Sequence, residues 1–106
     1  MKELDATTFD AAVAGGPVLV DFWAPWCRPC KALEPILAAL PVEVARVNID
    51  VEPGLASRFD VLSIPTVVLF AGGEPLGTVV GLRQKKYFDG WLAEVLPAGQ
   101  VGGLNA

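Results

Sequence analysis

Apolar positions along this chain recur with two different spacings, and the switches between them mark its elements. The run Val18-Leu19-Val20-Asp21-Phe22-Trp23-Ala24 hardly alternates at all, which predicts a strand buried on both faces. Soon after it, Ala32-Leu33-Glu34-Pro35-Ile36-Leu37-Ala38-Ala39-Leu40 carries its apolar residues at helical spacing. A helix is expected from about Cys27 to Leu40. Pro35 should kink it, because proline lacks a backbone donor and crowds the preceding turn, and Pro41 should stop it.

The flanking segments follow the same logic. Thr7 or Thr8 is placed to cap a first helix with Phe9, Ala12 and Val13 on its apolar side, and Gly15-Gly16-Pro17 should end it. Val42 to Asp50 alternates imperfectly and reads as a second central strand. Val51-Glu52-Pro53-Gly54 opens a short helix, Leu55 to about Phe59. Thr66-Val67-Val68-Leu69-Phe70 is β-branched and apolar, hence a strand, and Gly72-Gly73 turns it into a hairpin partner from Pro75 to Val80. Tyr87, Phe88, Trp91, Leu92 and Val95 make Arg83 to Val95 an amphipathic closing helix. Residues 97–106 hold glycines and little to bury, and read as a loose tail. Strands alternating with helices, then a hairpin and a last helix, predict an α/β domain with a mixed sheet covered on both faces.

Composition narrows the function. A chain of 106 residues, 53% apolar, is one domain with enough material for a core that needs no metal. Eight basic against twelve acidic residues leave a net charge of −4, and no basic run exceeds Lys85-Lys86, which argues against nucleic acid as partner. No apolar run approaches the roughly 20 residues of a membrane span. Met1-Lys2-Glu3-Leu4-Asp5 lacks the apolar segment of a signal peptide, so the cytoplasm is the expected compartment.

Both cysteines, Cys27 and Cys30, sit where the buried strand hands over to the helix. Three chemistries compete for such a pair. A structural zinc needs four Cys or His ligands, and the chain has no other Cys and no His. A structural disulfide closing so short a loop would stabilise weakly. A couple cycling between dithiol and disulfide suits the position best, because the free amides at a helix start stabilise a thiolate. Cys27 is then the attacking thiolate, with Arg28 adding a nearby positive charge, and Cys30, one turn on, is the more buried partner. Pro29 costs nothing at a helix start and stiffens the loop. Asp21 stands inside an apolar strand, either as a carboxylate at a solvated edge or as a buried acid whose pKa burial raises.

Val20-Asp21-Phe22-Trp23-Ala24-Pro25-Trp26-Cys27-Arg28-Pro29-Cys30-Lys31 resembles the active-site segment of the thioredoxin family. Val47-Asn48-Ile49-Asp50, Ser63-Ile64-Pro65-Thr66, Phe70 followed by Gly72-Gly73, and Val80-Gly81 recur in that family's order. The likeness covers the chain short of its last ten or so residues. It departs at Arg28, where thioredoxins usually carry Gly.

The resemblance implies a three-layer α/β/α sandwich and a protein-disulfide reductase without cofactor or metal. Its partners would be proteins with disulfides and a thioredoxin reductase that recycles a monomer. It implies that Asp21 relays a proton to and from Cys30, with Arg46 at the place of a family lysine near that acid. It implies a cis bond at Ile64-Pro65, where a trans proline in an ordinary loop is the alternative. Trp26, Ile64, Gly72 and Gly81 would frame an apolar docking patch beside Pro65, although Gly81 could equally just end its strand. Trp23 is expected beside the sulfurs, and Trp26 in solvent. Two rivals keep the same fold: a thiol oxidant or isomerase, to which Arg28 lends weight by raising the potential, and a non-catalytic subunit that binds through the patch alone.

Overall fold

The near-continuous apolar run becomes the middle strand of a five-stranded mixed sheet. The structure, a computed structural model, describes residues 1–97. In chain order the elements are β1 (Lys2–Glu3), α1 (Phe9–Val13), β2 (Val18–Trp23), α2 (Arg28–Ala38), β3 (Glu43–Asn48), α3 (Pro53–Arg58), β4 (Thr66–Ala71), β5 (Glu74–Val80) and α4 (Lys85–Val95). The sheet runs β1-β3-β2-β4-β5. β3 lies parallel to both β1 and β2, while β4 is antiparallel to β2 and β5.

Each face of the sheet buries its own core, which is why β2 needs apolar residues at successive positions. Val18, Val20 and Phe22 point to one side, where Phe9 and Val13 of α1 and Leu55 of α3 pack with Phe70. Phe9 meets Phe70 edge to face at 5.4 Å, and Phe59 stands 5.1 Å from each of them. Leu19 points to the other side, into Leu33 and Leu37 of α2, Val67, Leu69, Val79, and Phe88 and Leu92 of α4. Helices thus cover both faces, as a three-layer sandwich requires.

Two details differ from the sequence reading. β1 was not anticipated: two residues carry no periodicity, and only pairing with Ala45 and Arg46 makes them a strand. The turn into α1 is capped by Asp5 rather than by Thr7 or Thr8. Asp5 Oδ1 accepts from the amides of Thr7 and Thr8, while Thr8 Oγ1 accepts in return from the Asp5 amide at 3.0 Å. The Thr7 hydroxyl, which donates to Oδ1 at 2.7 Å, and then these amides hold the Asp5 carboxyl below its usual range. α3 closes without a glycine: Asp60 takes the left-handed conformation (φ 55°), and the amides of Asp60 and Val61 bond back to the carbonyls of Ser57 and Ala56. α2 runs through Pro35 as one element to Ala38. The C-terminal tail reading concerns residues 97–106, of which all but Pro97 lie outside the described residues.

Candidate active site

The site is assembled at the carboxyl end of β2. Cys27 has extended backbone and forms the N-cap of α2, with Pro29 in its first turn. The Cys30 amide donates to Cys27 Sγ at 3.2 Å, so a backbone dipole of the helix start is aimed at that sulfur. Cys27 and Cys30 are joined as a disulfide, with Cα atoms 5.3 Å apart. Cys27 retains 5% of its surface exposed and Cys30 none. Trp23, Ile49 and Ile64 pack around the pair with buried Ala24.

Arg28 is solvent-exposed, and among the described residues it forms no ion pair. Trp26 is 67% exposed, its ring steadied by a 3.0 Å bond from Nε1 to Asp50 Oδ2. The Ile64-Pro65 bond is cis. Gly81 (φ 93°) donates its amide to the Pro65 carbonyl at 2.8 Å, which sets it at that loop.

One predicted member of the patch lies elsewhere. Phe22 pairs with Thr66 at the cysteine end of the sheet, and Val18 pairs with Phe70 at the other end. Gly72 follows Ala71 beyond that far end, where its amide bonds to the Gly15 carbonyl at 2.8 Å. It turns a hairpin and frames nothing with Cys27. Val61, Leu62 and Ser63 line a groove of about 280 Å³ with Trp26, Ile49 and Ile64. Leu62 is 96% exposed there. This loop carries no periodic signal; the apolar Val61-Leu62 directly before Ser63-Ile64-Pro65 is its available sign.

Asp21 is completely buried, which excludes the solvated-edge alternative. Its neighbour across the β2–β3 ladder is Arg46, whose Nε stands 3.5 Å from Asp21 Oδ2. Among the described residues neither Asp21 oxygen has a hydrogen-bond partner. Desolvation pushes the Asp21 carboxyl up to about 6, even though the Arg46 cation pulls it down. The Arg46 guanidinium lies 3.9 Å over the centre of the Trp23 ring, a cation–π contact that holds it in place. The site can therefore store two electrons in the cysteine pair and a proton on a buried carboxylate near neutral pH.

A family model described as Thioredoxin matches residues 1–94. Over 100 aligned residues the chain is 42% identical to a thioredoxin of Alicyclobacillus acidocaldarius, covering 88% of this chain and 95% of that protein. It is 44% identical to a thioredoxin of Chlamydia caviae over 90 residues, covering 80% and 88% respectively. It is also 42% identical over 100 residues to a bifunctional thioredoxin reductase/thioredoxin of Mycobacterium leprae, with 88% of this chain matched to 22% of that longer protein.

Proposed function

Because this chain belongs to the thioredoxin family and is a thiol-disulfide oxidoreductase, a protein-disulfide reductase with a redox-active cysteine pair, we propose a division of labour between its two sulfurs. The Cys27 thiolate attacks one sulfur of a substrate disulfide, joins it in a mixed disulfide and releases the other as a thiolate. Cys30 then gives up its proton to Asp21 and attacks Cys27 Sγ. The mixed disulfide breaks, the substrate leaves with both sulfurs reduced, and the protein keeps the Cys27–Cys30 bond. The observation that carries this assignment is the asymmetry of burial and dipoles: Cys27 is the sulfur with exposed surface and an amide aimed at it.

The substrate segment is proposed to lie extended along the groove of Trp26, Leu62 and Ile64, pairing its backbone with the chain before Pro65. Arg28, Pro29 and Trp26 tune the pair. A thioredoxin reductase is the proposed electron donor, a reading supported by the Mycobacterium leprae relative that bears both names on one chain. The protein is proposed to act as a single-domain monomer in the cytoplasm, where thiols are kept reduced.

In a Cys30→Ser variant substrates should be trapped on Cys27, and in Cys27→Ser none should be trapped; mass spectrometry of the adducts reads this directly. Equal adducts on Cys30 would reverse the roles. Exposed Arg28 beside Cys27 favours a second reading, an oxidant on the same fold. Equilibration with glutathione separates them: a potential near about −270 mV fits a reductase, and one above about −180 mV fits an oxidant.

A further inference from the structure

Arg46 is a single buried cation facing three carboxylates. Glu3, Arg46 and Asp21 occupy one row across β1, β3 and β2. Asp21 shares its face of β2 with Leu19, the face that α2 covers. From α2, one turn beyond Cys30, Glu34 reaches Arg46: its Oε2 lies 3.4 Å from Nη1. The same Nη1 stands 4.0 Å from Glu3 Oε1. The pull is unresolved, because among the described residues Arg46 Nε and Nη2 and both Asp21 oxygens remain without hydrogen bonds.

We propose that Glu34 is a positioning residue for the thiol chemistry: it holds Arg46 between α2 and the sheet and so limits how far that cation neutralises Asp21. The inference rests on the relay role of Asp21 given above. Guanidinium and carboxylate side by side in a buried strand pair would ordinarily close into charge-assisted hydrogen bonds. Such a pair would keep Asp21 ionised and unable to take up a proton at neutral pH. Glu34 prevents the closure by competing for the same guanidinium and adds a second negative charge near Asp21.

The other groups around the acid leave this role to Glu34. Glu3 acts on the Asp21 carboxyl directly, ahead of Glu34, but it stands farther from the guanidinium, 4.0 Å against 3.4 Å, and sits on a two-residue strand, so holding Arg46 falls to Glu34. Asp5 and Glu52 line the same 510 Å³ cavity as Arg46, but Asp5 is engaged by Thr7 and Thr8, and Glu52 Oε1 accepts from the Ala6 amide. β4, β5 and α4 bring Val67, Val79, Phe88 and Leu92 to this face, all apolar.

The test titrates Asp21 in the oxidised full-length protein by carbon-13 NMR of its carboxyl, with Asp21→Asn to assign the signal. In Glu34→Gln the midpoint should fall by about half a unit or more, as for a carboxylate that gains an opposite charge, and Glu34→Asp should return most of it. The pH profile of substrate release should move with the midpoint. An unmoved midpoint in folded Glu34→Gln overturns the proposal and leaves the relay intact. A profile shift that persists when Glu34→Gln is placed on Asp21→Asn also overturns it, since Glu34 would then act elsewhere. Asp21→Asn releasing substrate as fast as the unaltered protein would remove the relay itself, and with it any part for Glu34 in the chemistry.

Discussion

Arg28 stands where the resemblance to the thioredoxin family leads one to expect Gly. It is the first residue of α2, exposed, and adjacent in the chain to Cys27, whose Sγ accepts the Cys30 amide. Arg28→Gly removes a positive charge beside Cys27, so the Cys27 thiol pKa should rise and the couple should become more reducing. One unit of pKa is about 1.4 kcal/mol, or roughly 30 mV for two electrons, and solvent screening of an exposed arginine keeps the change below that. Thiolate absorbance titrated in both proteins checks the sign; a lower Cys27 pKa in the glycine variant would refute it. The residue scale was also the most legible in sequence. Cys27, Cys30 and the awkward Asp21 stood out because each is chemically costly or reactive where the pattern puts it. Arg46 was legible only through the family likeness, and Glu34 was not, because an acid on a solvated helix face has no distinguishing pattern.

At the scale of elements, the periodic segments were readable and the aperiodic ones were not. β2, α2, β4 and α4 fall within a few residues of their expected bounds, since apolar spacing reports directly which face is buried. β1 and the Val61–Ile64 loop exist through partners distant in sequence, which no local pattern encodes. Gly72 shows the same gap: the pattern identified a hairpin turn, and register alone decides at which end of the sheet it lies. Gly72 and Gly73 both have positive φ, 59° and 81°, which side chains resist. Gly72→Ala should therefore destabilise the fold by about 1 kcal/mol, and turnover of a disulfide substrate at 25 °C should be unchanged. Denaturant melts beside a reductase assay would show both; lost turnover in the folded variant would restore Gly72 to the docking patch.

For the whole molecule, Asp21 couples stability to pH. Its folded pKa of about 6 lies above the roughly 3.9 of an unfolded aspartate, so the unfolded chain loses its proton first as pH rises. The fold is thereby weakened progressively between those values, with the full penalty present above pH 6. Asp21→Asn carries no such penalty, although it leaves Arg46 with only Glu34 and Glu3. The stability of the variant relative to the unaltered oxidised protein should rise by ~2 kcal/mol from pH 4 to pH 8. Denaturant melts at the two pH values measure it, and a flat difference would mean the carboxyl is not held protonated. The burial of the sulfurs has a consequence of another kind. Cys30 is sealed, Cys27 is nearly flush with its surroundings, and Trp26 and Leu62 stand proud of both. A disulfide held in the hollow of a rigid target cannot descend between those ridges, whereas one on a protruding or unravelled strand can. On the proposed function, clients whose cystines protrude should be reduced faster than clients whose cystines are recessed.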